Sequence, residues 1–120
     1  ESFKTDSADH AWRNTKTGSS ISFLSSCEEP GDPKLEVIRD STLRGIEGLR
    51  TIKEEQLRYN RRAAVRTKAF GYLDGIKVYL DLLVFKKNRC NYTLIFTSLA
   101  DKFKADGSKF EKFIQSFEAP

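Results

Sequence analysis

Apolar and polar positions are patterned most clearly between Arg62 and Thr97, and the rest of the chain reads as cover for that stretch. Its most apolar run, Ile76-Lys77-Val78-Tyr79-Leu80-Asp81-Leu82-Leu83-Val84-Phe85, is rich in the β-branched and aromatic residues that suit strands. Asp74-Gly75 just before it tolerates the positive φ angles of a two-residue hairpin turn. That turn pairs Leu73 with Ile76 and sets the register back along Arg62–Leu73. Lys68 then falls opposite Asp81, a charge pair that supports the register. A second turn around Lys87-Asn88-Arg89 leads into Cys90-Asn91-Tyr92-Thr93-Leu94-Ile95-Phe96-Thr97.

Side chains alternate across a strand, so the meander sorts into two faces. Ala63, Val65, Ala69, Val78, Leu80, Leu82, Val84 and Ile95 share one face. Phe70, Tyr72, Tyr79, Leu83, Phe85, Tyr92, Leu94 and Phe96 share the other. Both are apolar, which predicts an antiparallel sheet covered twice.

The covers come from the flanks. Glu1–His10 is polar without periodicity and reads as a frayed leader or tether, leaving one domain over residues 11–120. Ala11–Asn14 is expected as a short edge strand, with Trp12 plugging the rim of the core. Ser20–Leu24 alternates like a strand and ends at Ser25-Ser26-Cys27. Asp32-Pro33 is a helix start, Asp as N-cap and Pro at the first position. Leu35, Ile38, Thr42, Ile46 and Leu49 then recur at helical spacing, predicting a helix over Pro33–Leu49 with Gly48 as its stop. Thr51–Tyr59 alternates loosely as a strand, and Asn60-Arg61 turns it into the meander. Ser98–Phe103 is expected as a short helical turn, broken at Asp106-Gly107-Ser108. Phe110, Phe113, Ile114 and Phe117 mark a final amphipathic helix over Lys109–Phe117, capped by Ser108. One helix per face gives an α+β fold, an α/β/α sandwich.

Length and composition narrow the class. A chain of 120 residues, 38% hydrophobic and 32% charged, makes one soluble domain. The net charge of +4 is compatible with an acidic partner and does not demand one. Cys27 and Cys90 are either buried thiols or one disulfide, and the spacing leaves both open. The chain starts at Glu1 and contains no methionine, as expected of a mature chain, so export stays open.

Catalysis fails on inventory. His10 is the sole histidine and lies in the polar leader, so no Ser/His or Cys/His pair has a base. One His and two distant Cys make no zinc set, and no calcium-loop spacing occurs. Gly45 and Gly48 lack a phosphate-loop lysine. Glu54 and Glu55 are adjacent on a strand and point to opposite faces. The expectation is therefore no enzyme, no catalytic residue, no metal and no cofactor.

The basic residues are the best functional feature. Arg58, Arg61, Arg62, Arg66 and Lys68 run with no acid among them, and Lys86, Lys87 and Arg89 close the following hairpin. Exposed beside the aromatic face, they would make a single-strand nucleic-acid platform. The stronger reading seats Phe110, Phe113 and Phe117 on those rings, leaving the arginines as a solvated rim. Such a rim suits an acidic partner or an anionic lipid surface. A pocket between sheet and helix would instead make a small-molecule carrier.

Certain stretches resemble a known family. Cys90–Phe96, Asp101-Lys102-Phe103 and Phe110–Phe117 are similar to the C-terminal half of PsbP-like domains, which share a fold with the Ran-binding Mog protein. Gly18–Ser22 resembles the opening strand and Asp32–Leu35 the start of the first helix. Trp12 with Asn14, and the pair Cys27 and Cys90, resemble small bacterial exported lipoproteins of that kind. The resemblance implies a sandwich around an antiparallel sheet, non-enzymatic work as an accessory or docking module, and no catalytic residues. It also implies a periplasmic or membrane-tethered place, with a lipid anchor upstream of Glu1 and a protein or envelope assembly as partner.

Overall fold

The computed structural model describes residues 2–5, 8–14, 16–27, 33–99 and 102–117. The elements are β1 (Ser2–Thr5), β2 (Ala8–Arg13), β3 (Ser20–Cys27), α1 (Leu35–Leu43), β4 (Glu47–Tyr59), β5 (Arg62–Leu73), β6 (Ile76–Lys87), β7 (Cys90–Leu99) and α2 (Phe103–Ser116). The strands form one seven-stranded sheet in the order β1-β2-β3-β7-β6-β5-β4, antiparallel throughout. With two helices this is an α+β architecture.

The meander keeps the register that Asp74-Gly75 imposes. Leu73 pairs with Ile76, Lys68 with Asp81 and Ala64 with Phe85. Alternation along β6 then divides the core. Leu83 and Phe85 join Tyr92, Leu94, Phe96, Phe110 and Ile114 in a cluster that takes in α2. Val78, Leu80 and Leu82 join Leu43 of α1, with Ile46 and Ile95 packed against them. A buried Leu or Phe contributes roughly 1.5–3 kcal/mol, so β6, buried continuously from Leu80 to Phe85, is the energetic centre.

Five expectations change. The leader is sheet in part: β1 lies along β2, with Ser2 opposite Trp12, so β2 is an interior strand rather than an edge. Backbone groups that a frayed leader leaves to water are paired there. The first helix stops at Leu43 rather than Leu49, because Gly45 at φ 98° turns the chain into β4. Its N-cap position is held by Lys34, and the expected cap Asp32 lies outside the described residues. Ser98 and Leu99 continue β7 instead of forming a helical turn. The last helix runs unbroken through Asp106-Gly107-Ser108, because the Asp106 carboxylate accepts hydrogen bonds from Ser19 (2.6 Å) and Thr17 (2.7 Å), and that tertiary tie outweighs a turn-forming local sequence.

Gly71 in β5 is required by a close approach. A Cβ there would run into Ile46 and stand 3.0 Å from the Glu47 carbonyl oxygen, where the chain leaves α1 for β4. β4 itself ends the sheet, exposed from Glu47 to Gln56. Register shifts at Glu47/Arg50 and Thr51/Lys53, together with its many charges, blunt this edge against strand addition. An Arg39–Glu54 ion pair ties it to α1.

Candidate docking surface

Two hairpins turn at the same end of the sheet. β4 passes to β5 through Asn60-Arg61, and β6 passes to β7 through Asn88-Arg89. All four residues have positive φ: 48° and 69° in the first turn, 50° and 66° in the second. These are two-residue turns of the kind whose backbone twist matches the strands they join. Asparagine tolerates the left-handed region; arginine does so at a cost that glycine avoids. The turn at the opposite end, Asp74-Gly75, uses glycine at φ 80° in the corresponding place.

Strand spacing sets these basic turns about 10 Å apart, side by side. Arg58, Arg61 and Arg89 are exposed, while Arg62, Lys86 and Lys87 are half-buried. The Arg58 guanidinium donates to the Arg61 carbonyl at 3.0 Å, and that of Arg62 to the Asn60 carbonyl at 3.3 Å. Both steady the first tip while keeping its charge there. No acidic residue occurs between Gln56 and Ala64 or between Val84 and Tyr92. The Cys27–Cys90 disulfide joins directly opposed positions of β3 and β7 at this same end.

The structure separates Arg66 and Lys68 from this group. Arg66 grips Asp81 with two bonds, Nε to Oδ1 at 3.0 Å and Nη2 to Oδ2 at 2.8 Å, and Nη2 also meets Glu111 of α2. The hydrogen bond to Asp81, then that to Glu111, hold its guanidinium above its ordinary pKa against the opposing effect of burial. Its charge is spent inside the molecule. Lys68 sits mid-strand between Lys53 and Asp81 in the register, away from the turns.

The part of the aromatic face formed by Phe85, Tyr92, Leu94 and Phe96 is covered by α2, while Tyr72 at its far end stays exposed. Phe110 stacks on Phe96 at 5.6 Å, and Phe117 meets Tyr92 at 6.2 Å and Phe85 at 6.3 Å. The Tyr59 hydroxyl donates to the Ile114 carbonyl (2.6 Å), fastening the C-terminal end of α2 to β4. Phe85, Tyr92 and Phe96 are all buried. Trp12 stands at the rim, as expected, edge-on to Phe113 with the ring centroids 5.2 Å apart. Among the described residues no three His, Cys, Asp or Glu side chains gather as metal ligands would.

The feature missed in the sequence is the repeat of Asn-Arg at positions that want Asn-Gly. The dipeptide itself, twice at hairpin spacing, was the available signal.

No protein-family model matches the chain, and no curated protein does. Solved structures do. A Pseudomonas aeruginosa protein of unknown function, PA94, described as a candidate regulator, superposes with a TM-score of 0.69 at 14% identity, covering 100% of this chain and 82% of that one. The cyanobacterial PsbP (CyanoP) of Synechocystis superposes with a TM-score of 0.69 at 13% identity, covering 100% and 81%. At such identity the likeness establishes the fold alone.

Proposed function

We propose, from the PsbP-like fold and the paired basic turns, that this chain is a non-enzymatic accessory domain of an α/β/α sandwich that docks to a protein partner or envelope assembly. It works outside the cytoplasm, in the periplasm or held at a membrane by a lipid anchor. Contact is made through Arg58, Arg61, Arg62, Lys86, Lys87 and Arg89, and the partner presents carboxylates.

One observation carries the reading: arginine kept twice at a left-handed turn position, in neighbouring hairpins, at one end of the sheet. A fold selected for stability alone would place glycine there, as it does at Gly75. The disulfide fits an oxidising compartment. Strand direction favours a protein over the anchoring membrane as the contacted surface. Ser2 enters the sheet at the level of Trp12 and Ile21, with roughly 20 Å of strand between that level and Cys27. A tether joined upstream would therefore leave from the end opposite the basic turns.

The test is capture from an envelope extract with the tagged chain, comparing it with an Arg61→Glu, Arg89→Glu double variant of equal melting temperature. The variant should retain about ten-fold less of the captured partner, and the wild-type complex should weaken with salt. Equal capture by both proteins would reject the surface.

A further inference from the structure

The turn joining β2 to β3 is built to hold α2. Within it the Gly18 N–H donates to the Asn14 carbonyl and the Asn14 N–H to the Ser19 carbonyl, each at 2.8 Å, with Gly18 at φ 78°. This folds the Thr17 and Ser19 hydroxyls onto Oδ2 of Asp106, a carboxylate that is only 6% exposed. Hydrogen bonds from Ser19 and then Thr17 keep that carboxyl below the usual carboxylate range. Asp106 is thus a satisfied anion, with Lys109 and Lys102 adding favourable charge.

Beside this anchor a cleft of about 330 Å³ opens between β2, the turn, β3 and α2. Trp12, Ile21 and Phe96 supply its apolar wall, and Arg13, Lys16 and Lys109 its charged mouth. The volume falls in the range of small-molecule sites, which combine an apolar body with a few placed polar groups. With Asp106 answered from within the fold, the exposed Lys16 and Lys109 bring positive charge to the mouth.

We propose that this cleft binds a small organic anion, a carboxylate on an aromatic or aliphatic body, with the body against Trp12, Ile21 and Phe96 and the charge at the cationic mouth. The site is independent of the docking surface, since it lies at the level of Trp12 and Ile21 and the basic turns lie at the other end. The Trp12 ring, braced by Phe113, forms a standing wall rather than a side chain awaiting a partner.

Trp12 is the sole tryptophan, so its fluorescence reports on the cleft directly. The probes are 4-phenylbutyrate, its neutral amide 4-phenylbutyramide and its cationic analogue 4-phenylbutylamine, each titrated into the intact chain. The carboxylate should shift Trp12 emission saturably and bind at least about ten-fold tighter than the amide, with the amine weakest. Lys16→Glu, at an exposed turn position, should lose about ten-fold in carboxylate affinity without a change in melting temperature. The proposal is overturned by an absent saturable response to millimolar carboxylate, by equal affinity for the amide, or by unaltered binding to Lys16→Glu.

Discussion

Arg61 and Arg89 hold the same place in two neighbouring hairpins, the second turn residue, at φ 69° and 66°. The left-handed region costs an L-residue roughly 1–2 kcal/mol, a penalty glycine escapes. Arg61→Gly and Arg89→Gly should therefore each raise unfolding free energy by about 1 kcal/mol in urea titrations while reducing partner capture. A fall in stability would mean that these side chains serve the fold, and the docking reading would lose its main support.

Arg66 should behave in the opposite way. Its bidentate hold on Asp81, which is 4% exposed, satisfies a buried carboxylate. Removing one partner of such a pair leaves the other uncompensated, so Arg66→Ala is expected to cost about 3–5 kcal/mol by chemical denaturation. Arg66→Lys should recover little, since a lysine offers no planar fork. Lys68→Ala should change stability by no more than about 0.5 kcal/mol. Equal effects at the two positions would contradict this assignment of the Asp81 charge.

Asp106 predicts an acid limb. Its folded pKa lies below its ordinary value, so its contribution is present above the unfolded pKa of about 3.9 and is lost as pH falls through the folded value. Asp106→Asn should destabilise by about 1–3 kcal/mol at neutral pH, and the gap from wild type should close below about pH 4. Melting temperatures across an acid pH series measure this. A gap that stays constant down to pH values well below the carboxylate range would show that the carboxylate charge is irrelevant to the turn.

The disulfide closes a long loop, with a sequence separation of 63. In the chain-entropy picture such a link contributes on the order of 4 kcal/mol, through the unfolded chain. The double variant Cys27→Ser, Cys90→Ser should lose about 2–4 kcal/mol, because sheet pairing of β3 with β7 persists without it. Denaturant midpoints of the two proteins give the answer, and indistinguishable midpoints would refute it.

Local chemistry made the meander legible. Asp74-Gly75 fixes Leu73 against Ile76, and a period of two then assigns every side chain of β5, β6 and β7 to a face. Partnerships formed across space were not legible. The sequence sets Lys68 opposite Asp81, and the register agrees, yet the ion pair goes to Arg66 because a guanidinium reaches diagonally and Glu111 arrives from a helix far along the chain. Asp106-Gly107-Ser108 reads as a break because these residues favour turns, and only the Thr17 and Ser19 hydroxyls reveal why the helix continues. The basic group is visible as composition, but its division into hairpin tips and a spent Arg66 needs the fold.

Hydroxyl-radical footprinting read by mass spectrometry tests the central claim most directly, that α2 seals the Phe85, Tyr92 and Phe96 rings and leaves the charged turns to meet a partner. Phe85, Tyr92, Phe96 and Phe110, each no more than 2% exposed, should stay unmodified at doses that label Tyr72, which is 42% exposed. Labelling of Tyr92 and Phe96 as rapid as that of Tyr72 would contradict it.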